Sequence, residues 1–382
     1  MSSSRMSIRV AAVAVLALAS LTLAACSSGS TTSTSGSNTS GDLSFLKKYE
    51  ARLSAAEKPV TYAGPTDTKP APKNVFVGAV SCSYSVAGCK SGGLAFDAVA
   101  KALGWKSTNI VVNDPSGYPQ AVETLLNEGV QAIYLGGVTT NVVPEAMKEA
   151  KARNIPVVSA ISNYTLGGPT DVTADTHPSP TKVGQLMADA AIVEHKGKVD
   201  ALFLQDAEFA APVAILKAAK KEFQSCTQCS ITYASPLNFT ASVIGTTLPN
   251  QVVSAVQRDP KINSLMLGFD PPATFIVPAL VTAGKASTVS MYSQLGNSAP
   301  LAYVKQGKIL KVDVGASVAW ATWADFDVII RYLNKQNLVD ENIPLQLFTS
   351  SNPSVIDKLG VNDFAATFAG YEEKYKTMWG VN

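Results

Sequence analysis

Cysteines are the residues of this chain whose spacing most directly suggests chemistry. Apart from Cys26 near the N-terminus, four are present in two close pairs, Cys82 with Cys89 and Cys226 with Cys229. An even number in close pairs predicts two local disulfides in an oxidising compartment, although spacing does not fix their connectivity. A zinc site, free thiols and a redox CxxC are the alternatives. A redox CxxC needs a helix N-terminus to lower its thiol pKa, whereas Cys226 follows the C-terminal end of a helical pattern.

Motifs of hydrolytic, metal or nucleotide chemistry are missing from the sequence. It has no GxSxG, HExxH or GxxxxGKS motif, and its glycine doublets are too sparse for a dinucleotide fingerprint. His177 and His195 are the only histidines, which is too few for a multi-histidine metal site. We therefore expect a protein that is not an enzyme and that carries no metal or cofactor. Thiol chemistry at Cys226 and Cys229 is the remaining enzymatic alternative.

The composition favours a folded protein without a nucleic-acid partner. The chain has 382 residues, of which 46% are hydrophobic, so it can bury a sizeable core. Its length suggests two or three domains. Without Arg5 and Arg9, which lie in a predicted leader, basic and acidic residues are equal at 29 each. A neutral chain lacks the clustered positive charge that binding to nucleic-acid phosphates requires.

The first 26 residues predict export. Arg5 and Arg9 precede an apolar run that extends from Val10 to Ala25. A basic start, a short apolar stretch and small residues at its end are typical of a signal peptide, and about 16 residues are too few for a membrane-spanning helix. The sequence Leu-Ala-Ala-Cys at 23–26 resembles a bacterial lipobox. It implies removal of 1–25, lipidation of Cys26 and an extracytoplasmic lipoprotein anchored to the cell membrane.

Two connecting segments follow the leader. Residues 26–41 are almost wholly serine, threonine, glycine and asparagine, a composition that predicts a flexible tether. Residues 42–73 predict a short amphipathic helix up to Lys58 and then an extended lead-in that contains Pro65, Pro70 and Pro72.

From Asn74 onward, short apolar runs alternate with segments of helical periodicity. Predicted strands at 75–80, 131–135 and 155–160 belong to a first set, and the alternation starts again with strands at 201–205 and 264–268. Such alternation predicts an α/β fold with parallel sheets covered on both faces. Ligands of these folds bind at the carboxyl ends of the strands, so we expect a cleft between two doubly wound, Rossmann-like lobes.

Several short motifs occur along this body in a fixed order. They are AKALGW at 100–105, EGVQAI at 128–133, NIPVV at 154–158, TAGK at 282–285 and VKQGK at 304–308. In this order and spacing, residues 74–334 resemble the type I periplasmic binding proteins, the sugar-binding branch that feeds ABC importers. The resemblance implies a periplasmic binding protein-like I fold whose lobes are joined by a three-crossing hinge. The N-terminal lobe would comprise 74–174 plus 316–343, and the C-terminal lobe 175–315 plus 344–382.

The same resemblance implies the partners and the ligand site. We expect a monomer that binds a small-molecule solute, contacts ABC importer permease subunits and reaches the membrane through its lipid anchor. A sensory receptor with the same fold and anchor is the alternative. The residues that the resemblance places at or beside the ligand are Ser83, Tyr84, Ser162, Asn163, Asp175, Phe209, Phe239, Phe269, Asp270, Gln294 and Trp320.

Departures from the family pattern predict the polarity of this cleft. Where the sugar binders have a charged Asp-Arg pair, this chain has Ile161 and Ser162. Phe269 replaces the asparagine of a later Asn-Asp pair, and Leu295 replaces the acid of a Phe-Asp-Gly segment. Because buried hydroxyls without partners are costly, such a cleft favours an aromatic, steroid-like or otherwise poorly hydroxylated solute. A Cys82–Cys89 bridge would stiffen the loop that carries Tyr84.

Simpler structural roles remain open for each candidate. Asp175 and Asp270 stand at strand–helix junctions, where acids often cap helices. Phe239 and Phe269 are equally suited to an ordinary core. Ser162 and Asn163 form a turn in this alternative.

Overall fold

The computed structural model describes residues 43–163, 172–206, 208–357 and 370–381. The predicted signal peptide, Cys26 and the tether at 26–41 lie outside these residues. Within the described part, no helix combines the length and the apolar character needed to cross a membrane.

A first parallel sheet contains five strands in the order β2-β1-β3-β4-β5. The strands are β1 Phe76–Cys82, β2 Lys106–Val112, β3 Ala132–Gly136, β4 Val157–Ala160 and β5 Ala174–Thr176. The helices that follow its strands are α2 Ala87–Leu103, α3 Tyr118–Glu128 and α4 Pro144–Ala152. The central strands β1, β3 and β4 are almost wholly buried, because helices cover both faces of a parallel sheet.

A second sheet is ordered β12-β11-β10-β9-β6-β7, with β8 beside the end of β6. Its strands are β6 Lys198–Asp206, β7 Ser230–Tyr233, β8 Leu237–Phe239, β9 Ser264–Leu267, β10 Ser290–Leu295, β11 Leu310–Gly315 and β12 Gln346–Thr349. Only β12 runs antiparallel to its neighbour among these described strands. Its helices are α5 Pro180–Glu194, α6 Ala210–Ser225, α7 Leu248–Arg258, α8 Ala273–Thr282, α9 Ser298–Gln306 and α11 Pro353–Asp357.

Each of the two lobes is built around one sheet, and three further helices pack against them. The helix α10 Val318–Leu333 packs against α2 and β4 of the first lobe, and α12 Tyr371–Trp379 packs against α10. The helix α1 Lys47–Ala56 packs against α5 of the second lobe. The sequence-based boundaries therefore differ from the structure at two places. Strand β5 extends the first sheet past residue 174, and α12 lies on the first lobe although 344–382 were assigned to the second.

Glycines in these lobes end helices with a positive φ angle or allow two helices to pack closely. Gly104, Gly129 and Gly307 end α2, α3 and α9 with φ between 64° and 79°, which suits a residue without a side chain. Gly184 in α5 permits close packing against α6, because a β-carbon there would lie 2.4 Å from the carbonyl oxygen of Ile215.

Both predicted cysteine pairs are disulfides in the structure. Cys82 ends β1 and is bonded to Cys89 in the first turn of α2, with 5.4 Å between the Cα atoms. Cys226 directly follows α6 and is bonded to Cys229, also at 5.4 Å. The structure thus fixes the connectivity that the spacing left open.

Residues 43–72, called the N-terminal arm below, contact both lobes. Tyr49 of its helix α1 and Leu46 just before that helix are buried against the second lobe. Arg52 binds Asp189 of α5 through two hydrogen bonds of 2.6 and 2.7 Å. Farther along, the Ala71 amide donates to the Trp379 carbonyl oxygen at the end of α12 in the first lobe.

Candidate ligand-binding cleft

A cavity lies between the lobes where the parallel strands of both sheets end. Its first-lobe lining consists of Val86, Gly88, Cys89, Tyr134, Gly136, Gly137, Ala160, Ile161, Ser162 and Val318. Its second-lobe lining consists of Phe209, Ala211, Pro212, Phe269, Gln294 and Leu295. No described residue in this lining carries a formal charge. The described lining therefore offers a solute no charge-assisted hydrogen bond.

The first-lobe wall is held by a fully buried carboxylate. Ile161 follows β4 in a left-handed backbone conformation with φ 52°. Asp175 of β5 accepts hydrogen bonds from the next two backbone amides, those of Ser162 at 3.1 Å and Asn163 at 3.0 Å. It also accepts from the Ser159 hydroxyl. Burial is the largest cause that raises the pKa of Asp175, and these hydrogen bonds act in the opposite direction.

The second-lobe wall has a related arrangement. Leu295 ends β10 with φ 127°, and the amide of the following Gly296 donates to Asp313 at 2.8 Å. The next amide, that of Asn297, donates to Asp270 at 2.7 Å. Burial raises the pKa of Asp270 to about 7. Burial, and next the charge of Asp270, raise the pKa of Asp313 well above its usual range.

Aromatic rings from both lobes line the cavity. Phe209, at the start of α6, meets Phe269 edge to face with 6.1 Å between ring centroids. Phe239 stacks behind Phe269 at 6.2 Å. Tyr134 enters from β3, and its hydroxyl lies 3.1 Å from that of Thr322. These rings offer a solute flat apolar faces.

Few polar side-chain atoms in the lining are available to a solute. The Ser162 hydroxyl donates to the Ala160 carbonyl oxygen at 2.8 Å, and Tyr134 is paired with Thr322. The Gln294 amide Nε2 donates to the Gly268 carbonyl oxygen at 2.9 Å. Its Oε1 is buried and has no hydrogen-bond partner in the described structure. Gln294 therefore presents an unpaired acceptor.

The predicted site residues fall into three groups. Ser162, Phe209, Phe269 and Gln294 line the cavity. A second group lies directly behind the lining and supports it: Asn163, Asp175, Phe239 and Asp270. Asn163 accepts from the Thr140 amide at 3.0 Å and so ties two loops of the first lobe together.

The third group, Ser83, Tyr84 and Trp320, lies outside the lining. The Ser83 hydroxyl bonds Asn113 at 3.0 Å, and the Tyr84 hydroxyl accepts from Asn109 of β2 at 3.1 Å. Trp320 stacks on Tyr371 of α12, with 4.6 Å between centroids. Helix α10 presents Val318 to the cavity instead, because residues two apart lie on nearly opposite faces of a helix.

Sequence reasoning missed several lining residues. Tyr134 stands in the strand predicted at 131–135 and was not among the candidate site residues, although a tyrosine among aliphatic residues is a usable signal. Its hydroxyl needs Gly92 beside it, since a β-carbon there would lie 2.5 Å away. Val86, Pro212 and Val318 carry no comparable signal.

Comparison with known families agrees with this geometry. A family model described as "Periplasmic binding protein domain" matches residues 90–336. The chain belongs to this family. The match confirms the resemblance inferred from the motifs, and the two largely parallel sheets confirm the predicted α/β class. No curated protein sequence matches the chain.

Solved structures share the fold of this periplasmic binding protein at low sequence identity. An ABC transporter solute-binding protein of Actinobacillus succinogenes with bound D-allose is 16% identical, with TM-score 0.64 over 74% of this chain and 99% of its own. One from Bacillus halodurans with bound myo-inositol is 17% identical, with TM-score 0.63 over 80% and 99%. One from Agrobacterium vitis with bound D-fucose is 18% identical, with TM-score 0.62 over 75% and 98%.

Proposed function

We propose that this protein is the solute-binding lipoprotein of an ABC importer. It binds one small solute between its lobes outside the cytoplasm and delivers that solute to permease subunits. The observation that carries the proposal is the cavity at the strand ends, whose lining comes from both lobes. Family membership supports it, and so do the structural neighbours that are binding proteins of ABC transporters. The lipobox-like sequence at 23–26 supports a lipid anchor at Cys26 that tethers the protein to the membrane.

The mechanism needs no covalent chemistry. A solute that contacts both walls stabilises the closed form over the open form, and this difference in affinity drives closure. Leu295 of the second lobe lies at the junction, since a β-carbon at Gly88 of the first lobe would be 3.6 Å from its Cδ2 atom. The permease then recognises the closed form.

The solute is less polar than the ligands of the sugar-binding neighbours. Those neighbours carry D-allose, myo-inositol or D-fucose, and the family default is a sugar. In the described lining of this cavity, apolar and aromatic side chains replace charged ones. Family membership therefore supports solute binding, and the cleft supports a poorly hydroxylated solute.

A thermal-shift screen with a blocked variant tests the proposal. The mature chain from Cys26 is heated with sugars, polyols and neutral ring compounds, and a bound solute raises the midpoint by mass action. Gly88→Leu places a side chain in the cleft and should abolish every shift. Lys101→Leu, on the exposed face of the same helix, is the control and should retain them. Absence of a shift with all solutes, or an equal shift in Gly88→Leu, contradicts the proposal.

A further inference from the structure

Two apolar residues line the cavity from opposite lobes with positive φ angles. Ile161 has φ 52° and Leu295 has φ 127°. This region is an outlier for a β-branched residue such as isoleucine, and glycine or asparagine adopts it with less strain. Strained residues persist where the surrounding structure fixes them, and they cluster at binding sites.

Buried aspartates fix both residues in the same way. On the first lobe, Asp175 accepts from the two amides that follow Ile161. On the second lobe, Asp313 and Asp270 accept from the two amides that follow Leu295. All three carboxyls are fully buried, so they serve the backbone and are not themselves part of the lining. The two walls therefore hold their apolar side chains in place against local strain.

One acceptor in the lining lacks a partner. Gln294 is 1% exposed, and its Oε1 atom makes no hydrogen bond in the described structure. Its Nε2 atom is held by the Gly268 carbonyl oxygen, which fixes the direction of the amide. A buried acceptor without a partner is costly, so a solute that brings a donor to it gains specificity.

We propose that the cleft selects a neutral ring compound that packs one apolar face against Ile161 and another against Leu295, and that donates one hydrogen bond to Gln294. This inference rests on the proposed function and adds the solute class and its determinants. The rings of Phe209 and Phe269 flank the same space. A polyhydroxylated sugar fits poorly, because both walls would bury its hydroxyls without partners.

Four probes of the intact mature protein test the solute class. They are 2-naphthol, which is neutral with one hydroxyl donor, 2-methoxynaphthalene, which lacks the donor, and D-allose and myo-inositol. We expect 2-naphthol to bind most tightly in calorimetry and 2-methoxynaphthalene to bind about tenfold to a hundredfold more weakly. The two polyols should show no binding at millimolar concentration.

Two variants test the determinants. Leu295→Gly and Ile161→Asn each relieve the positive-φ strain while removing an apolar contact, and each should weaken 2-naphthol binding about tenfold. A cooperative unfolding transition, measured in parallel, shows that the variant is folded. Lys196→Gly is the matched control, because Lys196 also has a positive φ of 51° but lies exposed outside the cleft. Its affinity should equal that of the native protein.

The outcomes separate this inference from the proposed function. Micromolar binding of D-allose or myo-inositol overturns the neutral-ring inference and leaves solute binding standing. Unchanged 2-naphthol affinity in both folded variants overturns the role of Ile161 and Leu295. Equal affinity for the two naphthalene probes overturns the role of Gln294. Failure of every solute, including those of the wider screen, overturns the proposed function and this inference together.

Discussion

The ring of Tyr62 lies nearly parallel to the indole of Trp320, with 5.9 Å between centroids and 8° between planes. Tyr62 belongs to the N-terminal arm, and Trp320 to α10. The same indole stacks on Tyr371 of α12. The Trp320 side chain thus connects the N-terminal arm and α12 to α10. Val318, the first residue of α10, lines the cleft.

Replacing Tyr62 should loosen this junction. Tyr62→Ala removes a half-buried ring and should lower the free energy of unfolding by about 2 kcal/mol. Tyr62→Phe removes only the hydroxyl that donates to Pro65 at 2.7 Å, so we expect a loss of about 1 kcal/mol. Urea denaturation followed by tryptophan fluorescence measures both. Leu338→Ala, at an exposed site, is the control. Equal stability of Tyr62→Ala and the control would show that the contact of Tyr62 with Trp320 does not stabilise the protein.

Arg52 should stabilise the other end of the arm in a pH-dependent way. Its guanidinium binds Asp189, whose side chain is fully buried and whose pKa burial raises to about 6. Arg52→Met leaves that carboxylate without its cation and should cost about 3 kcal/mol at pH 8. The lost cation raises the Asp189 pKa further, so the carboxyl is neutral at pH 5 and the cost there is smaller.

Guanidinium denaturation of Arg52→Met at the two pH values measures this difference. Lys148→Met, which breaks an exposed pair with Glu145, serves as the control and should change stability by less than about 0.5 kcal/mol. An equal loss for Arg52→Met at pH 5 and pH 8 argues against a buried charge as the cause.

The two disulfides should differ in their effect on ligand affinity. Replacing Cys82 and Cys89 with alanine removes a bridge between residues seven apart in sequence. The free energy of unfolding should fall by about 2–3 kcal/mol. Because Cys89 lines the cavity and Cys82 packs on Gly137, ligand affinity should fall as well. The matched double alanine variant of Cys226 and Cys229 should lose about 2 kcal/mol and keep its affinity. Equal affinities in the two variants contradict a role of the first bridge in the cleft.

The buried carboxyls of Asp270 and Asp313, behind Leu295, should make a contribution to stability that falls as the pH rises. Asp270 has a pKa of about 7 when folded and an ordinary value near 4 when unfolded, so the folded state binds the extra proton between these values. The contribution of this proton to stability is therefore complete below pH 4 and is lost through pH 7, by at most about 1.4 kcal/mol per pH unit.

Asp313→Asn removes the neighbouring acid and should flatten this decline. Its amide oxygen still accepts from Gly296, and Asp270 no longer faces a second charge. Thermal unfolding from pH 4 to pH 8 gives the slope. Asp340→Asn, at an exposed position, controls for the loss of one charge. If the stability of Asp313→Asn falls with pH as steeply as that of the native protein, the decline comes from other buried acids.

Much of the fold could be predicted from the alternation of apolar strands with helices. The helix predicted within 42–58 appears as α1, and the strands predicted at 75–80, 131–135, 155–160, 201–205 and 264–268 appear as β1, β3, β4, β6 and β9. The short strands β5, β8 and β12 were not predicted, because three or four residues carry too little periodicity. The placement of α12 was also missed. Its amphipathic pattern predicts a helix but does not identify the partner, and Trp320 and Trp323 lie about fifty residues away in sequence.

The candidate site was predictable only in part. Positions at strand ends identified Ser162, Phe209, Phe269 and Gln294, because carboxyl ends of parallel strands meet at one edge of a sheet. Side-chain direction was not predictable. Tyr84 follows β1 as expected, yet its ring turns to Asn109 at the sheet edge.

The sequence by itself determined the class of fold and the family, since each depends on residue type and order along the chain. It placed Asp175 and Asp270 at or beside the ligand, and the structure instead puts both behind a described lining without formal charge. The tertiary structure decided which side chains meet across long separations. The stacking of Tyr62 on Trp320 and the aspartates behind Ile161 and Leu295 join residues far apart in sequence or in different loops. Such contacts depend on side-chain rotamers and backbone angles that tertiary packing selects. The order of residue types along the chain does not specify these angles residue by residue.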